Sequence, residues 1–184
     1  MRYFMSFKNT FLLLFLVVIS CANGNQEKKV DISTEEKPKE TPIIVGANRT
    51  EEYLSLLKNK KVGIVANQTS VIYKEDGNYT HLVDSLTALQ VNIQKIFSPE
   101  HGFRGKADAG ELVEGNRDAK TSLEIVSLYG KHKKPAAAQL NAIDVMVFDI
   151  QDVGVRFYTY TSTLHLVMEA CAENNIPLII LDRP

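Results

Sequence analysis

The chain lacks several features that would settle its class at once. It has no surplus of positive charge: 21 basic and 22 acidic residues leave a net charge of -1, which argues against a nucleic-acid backbone as partner. It has no apolar run of the roughly 20 residues that a membrane-spanning helix needs; the run Phe11–Ile19 stops at nine. Its two cysteines have no zinc-like spacing. No G-x-G-x-x-G follows the first predicted strand, where Gly63 lies inside and "NQTS" comes next, and there is no Walker loop. No internal repeat is present either. What remains is ordinary globular composition, 184 residues with 45% hydrophobic and 23% charged, enough for one domain.

The amino terminus reads as a leader rather than as fold. Arg2 and Lys8 make a positive region ahead of the short apolar run, the pattern of a secretory signal. The run ends in "VISC", Val18 to Cys21. A small residue followed by cysteine at that point resembles the lipobox of bacterial lipoproteins, whose cysteine becomes the lipidated first residue. Residues 1–20 are therefore expected to be signal, with Cys21 as lipid anchor to a membrane of the cell envelope, periplasmic or outer-membrane associated. Acyl chains contribute ~0.8 kcal/mol per buried CH₂, so two or three would anchor firmly. Residues 22–42 hold nine charged residues and only Ala22, Val30 and Ile32 as apolar ones; they cannot repay their ordering entropy and read as a tether. Cys171 is then the one thiol left, unable to form an internal disulfide and expected in the core.

From residue 43 onward helical and strand patterns alternate. "EEYLSLLKN" has acids at its start and Lys58 near its end, as a helix dipole favours. "THLVDSLTAL" repeats Leu82, Val83, Leu86 and Leu89 in a helical stripe, "PAAAQLNA" opens on Pro135, and "STLHLVMEACAENN" places Leu164, Val167, Met168 and Cys171 at helical spacing. Strands are predicted at 61–66, 91–97, 124–129, 143–150 and 177–182. The nearly unbroken apolar run "IDVMVFDI" suits a sheet covered on both faces. The alternation predicts an α/β domain around a parallel sheet. Ligands of such sheets bind beyond the carboxyl ends of the strands, and the polar clusters fall there: "NQTS", "SPEHG", "YGKH", "DIQDVGVRFYTY" and "DRP".

Among these, Glu100 stands out. Pro99 before it fixes φ and Gly102 after it permits an unusual backbone, so the carboxyl can be held in one direction, and restricted water would suit it to general-acid work. His101 and Arg104 could bind an anion or orient Glu100. Asp149 and Asp152 are the second pair of carboxylates; Gln151 donates and accepts, Arg156 could clamp a carboxylate, and Tyr158 and Tyr160 have faces that suit a sugar ring. Asn67 and Gln68 fit hydroxyl or acetamido groups. Local structural roles compete with each reading: capping for Asp149 and Asp152, core packing for the tyrosines, a turn for Asn67, an ion pair for Asp182 and Arg183. Two carboxylates about a bond suggest glycoside hydrolysis. Glu100, His101, Asp149 and Asp152 could hold a metal, but no ligand spacing demands one, and no cofactor is expected.

"VGIVANQTSV", "FSPEHGFRG", "VSLYGKHKKP", "IDVMVFDIQDVGVRFYTYTSTL" and "LDRP", in that order from about residue 45 to the end, closely resemble the bacterial exo-β-N-acetylmuramidases. The resemblance implies a glycosidase of peptidoglycan recycling that releases N-acetylmuramic acid from non-reducing ends. It implies a Rossmann-like domain with helices on both faces and a smaller C-terminal domain, the latter absent from these 184 residues. It makes Glu100 the expected general acid, surrounded by Asn67, His101, Arg104, Asp149, Gln151, Asp152, Arg156, Tyr158 and Tyr160. Asp149, Asp152 or the substrate's acetamido group would be the second reacting group. The alternative expectation is a lipoprotein that binds wall fragments without turnover.

Overall fold

A computed structural model describes residues 43–105 and 117–184. The predicted signal, Cys21 and the tether lie outside the described residues, and so does the segment 106–116.

The apolar stretches form one open sheet of five strands, β1 (Val62–Ala66), β4 (Ile93–Ser98), β5 (Glu124–Ser127), β6 (Val145–Asp149) and β7 (Leu178–Ile180). Their spatial order is β5-β4-β1-β6-β7, and every pair is parallel. Alternation along the strands sorts their side chains into two cores. Val62, Ile64 and Ala66 of β1, with Val145 and Val147 of β6, face helices α1 (Thr50–Leu57) and α2 (Leu82–Ala88) through Tyr53, Leu57, Leu82, Val83 and Leu86. Val65, Met146, Phe148 and Phe97 face the other way, toward α3 (Ala137–Leu140) and α4 (Tyr160–Glu173), whose Leu140, Val167, Ala170 and Cys171 complete that layer. Gly63 makes the second layer possible: a Cβ there would stand 3.0 Å from the Met146 sulfur and 3.2 Å from the Phe97 ring. Helices on both faces of a parallel sheet make this the expected Rossmann-like α/β domain.

Cys171 is buried in the second core, and burial pushes its thiol up to about 11. The predicted helices and strands all form, with ends shifted by at most two residues; the last helix begins at Tyr160, two residues before the predicted Ser162. One element escapes the periodicity. A hairpin, β2 (Val71–Tyr73) and β3 (Tyr79–His81), stands between β1 and α2. It turns at Asp76-Gly77, where Gly77 has φ +80° and the Asp76 carboxylate accepts from the Asn78 N–H, a recognised hairpin signal. The helical stripe therefore starts at Leu82, not at Thr80.

The carboxyl edge is closed by a buried ion pair. Arg183, just beyond β7, forms a two-pronged pair with Asp149 at the end of β6, with Nη2 2.9 Å from Oδ2, and its Nη2 also donates to the Val71 carbonyl at 2.7 Å. Both side chains are essentially without solvent contact. Burial raises the Asp149 carboxyl above its ordinary value against the pull of Arg183. Asp149 is thus neither a helix cap nor open to a ligand, and the partner of Arg183 is Asp149 rather than the adjacent Asp182.

Removing one partner of such a pair leaves an uncompensated buried charge. Arg183→Met is expected to cost about 3–5 kcal/mol in denaturant unfolding. The double variant Asp149→Leu/Arg183→Met is expected to recover much of that loss. A single variant as stable as the parent would show the pair to be dispensable.

Candidate functional site

Because all five strands run the same way, their exits share one edge. Register aligns them: Ala66 pairs with Asp149, Ser98 with Ser127, and Phe148 with Ile180. The connection leaving β1 packs α2 on one face and the one leaving β6 packs α4 on the other. The strand order therefore reverses between β1 and β6, the place where such sheets open a crevice.

The loop after β4 owes its shape to its far end. Gly102 N–H donates to the Pro99 carbonyl at 3.2 Å, and His101 and Gly102 adopt φ of +69° and +73° in succession. Phe103 is buried, its ring meeting His81 edge-on at 4.7 Å. The Arg104 guanidinium lies 4.6 Å over the same ring. It reaches Asp84 of α2 through Nη2–Oδ1 at 2.8 Å and Nη1–Oδ2 at 3.1 Å, and Asp118 through Nε–Oδ1 at 3.0 Å and Nη2–Oδ2 at 2.8 Å. Lys120 adds a contact to Asp84 at 2.7 Å. Arg104 is therefore not a free anion clamp: two carboxylates already occupy its fork, and it acts as the pin of the loop. The hydrogen bonds it donates to Asp118 and Asp84 hold its pKa above the ordinary value. Burial alone would raise both aspartates, but the bonds from Arg104, together with those from Thr121 to Asp118 and from Lys120 to Asp84, outweigh it and hold them below the usual range.

His81 ties this loop to the exit of β1. Val83 N–H donates to its Nδ1 at 3.3 Å, so the ring proton sits on Nε2 and is donated to the Asn67 carbonyl at 2.9 Å. Burial lowers its pKa, which keeps the ring neutral in this bridging role.

With Phe103 and Arg104 fixed, Glu100 and His101 are left half-buried at the crest of the loop. Glu100 lines a narrow crevice with Ser98, His101, Ser127 and Tyr129. Tyr129 lines the same crevice, and the neighbouring Glu100 carboxylate raises its phenol above its usual pKa. Tyr129 opens the cluster "YGKH" but is not among the candidate site residues that the sequence singles out. The strand register could have found it, since Glu100 and Tyr129 each lie two residues beyond the paired Ser98 and Ser127.

The β1 and β6 exits are stitched together at their base. Ser70 accepts from the Asn67 N–H at 3.0 Å and donates to the Asp149 carbonyl. Gln151 N–H donates to Thr69 Oγ1 at 3.0 Å, and its amide donates to the Arg183 carbonyl at 3.1 Å. Asn67 is fully buried, its Oδ1 accepting from the Thr69 N–H and hydroxyl at 2.9 and 2.6 Å. It shapes the turn and does not reach a surface ligand; its Nδ2 has no hydrogen-bond partner among the described residues. Gln68 is exposed beside it and packs against Gly105, where a Cβ would come 3.0 Å from the Gln68 side chain. That close approach joins the β1 and β4 loops.

Tyr160 is buried, and burial raises its phenol although the nearby Asn67 and Gln68 amides pull it down; the charge of Glu100 acts on it too. Phe157, Tyr158 and Tyr160 form an aromatic row with centroid spacings of 5.4 and 5.9 Å. Asp152 and Arg156 are exposed; the Asp152 carboxylate accepts from Gly154 N–H at 2.9 Å, and Arg156 has no ion pair among the described residues. A hollow of about 120 Å³ lies between the exits of β6 and β7, lined by Ile150, Asp152, Tyr160 and Arg183. A larger one, about 950 Å³, runs between the ends of α1 and α2 and touches none of these residues. Among the described residues no three His, Cys, Asp or Glu side chains converge as metal ligands would.

The loop pin has a defined pH dependence. Asp84 and Asp118 are depressed in the folded chain, so they add stability above the ordinary carboxylate value of about 3.9 and lose it as pH falls toward their lower folded values. Arg104→Met is expected to cost about 1–3 kcal/mol at neutral pH, and the gap to the parent should narrow between pH 5 and pH 2. A gap constant across that range would refute the network.

Comparison with known proteins places this geometry in a lineage. The peptidoglycan β-N-acetylmuramidase NamZ of Bacillus subtilis (strain 168) is 39% identical over 177 residues, covering 94% of this chain and 40% of that protein. Two DUF1343-family crystal structures from Bacteroides fragilis NCTC 9343 superpose with TM-scores of 0.65 and 0.64 at 40% and 42% identity. Each is covered over 78% of this chain and 36% or 35% of its own. The chain thus spans about two-fifths of the length of these relatives. The family described as "Exo-beta-N-acetylmuramidase NamZ, N-terminal" matches residues 62–184. On that match, two-thirds of its length, the chain belongs to the exo-β-N-acetylmuramidase NamZ family.

Proposed function

We propose that this domain carries the general acid, Glu100, of an exo-acting glycoside hydrolase that releases N-acetylmuramic acid from the non-reducing ends of peptidoglycan fragments. The observation that supports this most is the placement of Glu100. It stands at the crest of a loop pinned through Phe103 and Arg104, at the shared edge of five parallel strands. The activity for which the Bacillus subtilis relative is named supplies the reaction class.

In this reading Glu100 delivers a proton to the glycosidic oxygen as the bond to the anomeric carbon breaks. Gln68, Gln151 and Tyr158, on the loops that follow β1 and β6 at the same edge of the sheet, offer hydrogen-bonding groups for hydroxyl and acetamido substituents. Arg156, exposed and without an ion pair among the described residues, is the cation for the lactyl carboxylate, the role that Arg104 is too engaged to fill. His101 flanks the proton donor. Of the two aspartates considered as second reacting group, only Asp152 faces solvent, and it shares that role as a candidate with the substrate's own acetamido oxygen. Asn67, Asp149 and Tyr160 hold the frame.

The test is hydrolysis of a chromogenic β-N-acetylmuramide by the chain and by Glu100→Gln. Loss of a general acid is expected to lower kcat about 10²- to 10⁴-fold without unfolding the domain. Equal turnover by both would remove Glu100 from the chemistry. A folded chain that binds N-acetylmuramic acid without turning it over would be a binding module.

The proposed setting is the cell envelope, with Cys21 carrying the lipid; it is supported by the order of basic residues, apolar run and "VISC". Labelled palmitate fed to a bacterial host is expected to enter the chain and to be excluded by Cys21→Ala. Equal labelling of both would overturn the anchor.

A further inference from the structure

We infer that His101 is a specificity-determining residue of the saccharide site: its imidazole hydrogen-bonds a hydroxyl of the sugar on which Glu100 acts, and the backbone is held in a strained turn to keep it there. The inference rests on Glu100 marking that site.

The strain lies in the turn that follows β4. Gly102 N–H donates to the Pro99 carbonyl at 3.2 Å. Pro99, Glu100, His101 and Gly102 thus form a four-residue turn, with His101 in third place at φ +69°. A positive φ at that place calls for glycine or asparagine. For an L-residue with a larger side chain, left-handed backbone crowds Cβ against a carbonyl oxygen. The chain has its glycine one position later, at Gly102, and puts a bulky ring where glycine would fit.

Five other non-glycine residues have positive φ, and each has a local reason. Asn59, Gln90, Ala142 and Asn175 stand one residue past the caps of α1, α2, α3 and α4. Left-handed backbone there ends a helix and satisfies its last carbonyls, as when Gln90 N–H donates to the Thr87 carbonyl at 3.0 Å. Ser122 closes the connection before β5: its N–H donates to the Asp118 carbonyl at 2.8 Å, and its own carbonyl accepts from Arg117 at 2.8 Å. His101 ends no helix. Among the described residues it is the one non-glycine of positive φ at the carboxyl edge of the sheet.

The strain secures placement. His101 is half-buried and lines the crevice with Glu100, Ser98 and Ser127. That crevice measures about 10 Å³, too little for a sugar ring. The sugar must rest on the crest, where Glu100 and His101 occupy the two corners of one turn. A neutral imidazole carries one donor and one acceptor, which a sugar hydroxyl matches with its own pair. Phe103 and Arg104 anchor the chain just beyond, so the turn cannot relax by sliding. Strained backbone persists where its surroundings fix it in this way.

The test uses the full chain, with His101→Gly and His101→Asn, and N-acetylmuramic acid as the probe. Both replacements suit left-handed backbone better, so both are expected to raise Tm by about 2–5 °C. Both remove the imidazole, so binding of the probe, read by titration calorimetry, is expected to weaken about 3- to 10-fold. In the parent, the His101 ring resonances should shift as the probe is added. An imidazole with only a structural role predicts the opposite first result, and a Tm that does not rise in either variant would overturn the inference. Parental affinity in both variants, or ring resonances that the probe leaves unmoved, would overturn it too. So would His101→Asn binding like the parent while His101→Gly binds weakly, since stiffness of the turn would then account for the loss. None of these readings needs turnover. Full activity in Glu100→Gln would instead overturn the proposed function, with the His101 readings still deciding the contact.

Discussion

A guanidinium and a carboxylate shielded from water hold together the edge where every loop of interest begins. Asp149 ends the inner strand β6 and Arg183 follows the edge strand β7, while the same guanidinium reaches the Val71 carbonyl in the hairpin. Three segments distant in sequence meet on one planar group. The Asp149 carbonyl takes the Ser70 hydroxyl, and Ser70 in turn receives the Asn67 N–H. The turn after β1, the start of the hairpin and both right-hand strand ends thus share one polar core. Their mutual fit depends on charges that are costly to separate.

A second pin of the same chemical kind works on the left-hand side, with different exposure. Arg104 is partly open to water and is shared between two carboxylates and an aromatic face. His81, neutral and bonded at both nitrogens, connects that cluster to Asn67. The frame around Glu100 therefore consists of two arginine-centred clusters joined by one imidazole. The side chains left on the rim (Glu100, His101, Gln68, Asp152, Arg156 and Tyr158) are those the clusters do not consume.

Much of the fold was legible in the sequence because it is written in local periods. The apolar runs of β1 and β6 and the stripe of α4 need no distant information. The hairpin leaves little trace in the sequence because its strands are only three residues each, too short to show a period, and its Asp76-Gly77 turn adjoins the stronger stripe Leu82–Leu89. The site was legible as a set of loops, since parallel strands must all exit on one edge, and Glu100 could be singled out by its flanking Pro99 and Gly102. The partners of the charged groups were not legible. Asp149 and Arg183 are 34 residues apart, Arg104 and Asp84 20 apart, and no spacing rule joins them. Asp149 and Arg104 therefore passed for ligand-binding groups when they are braces, whereas Tyr129 emerged only once register set it opposite Glu100.

The buried thiol of Cys171 gives the molecule an internal clock. It lies on the inward face of α4, and only its thiolate form, which burial suppresses by pushing the thiol up to about 11, reacts with common reagents. Modification must wait until α4 lifts from the sheet, so its rate counts openings of that helix. The amino end of α4 carries Tyr160, which borders Gln68 and senses Glu100. A ligand that settles among those groups would slow the clock at a residue it never touches, reporting its presence from inside the core that Tyr160 and Cys171 share.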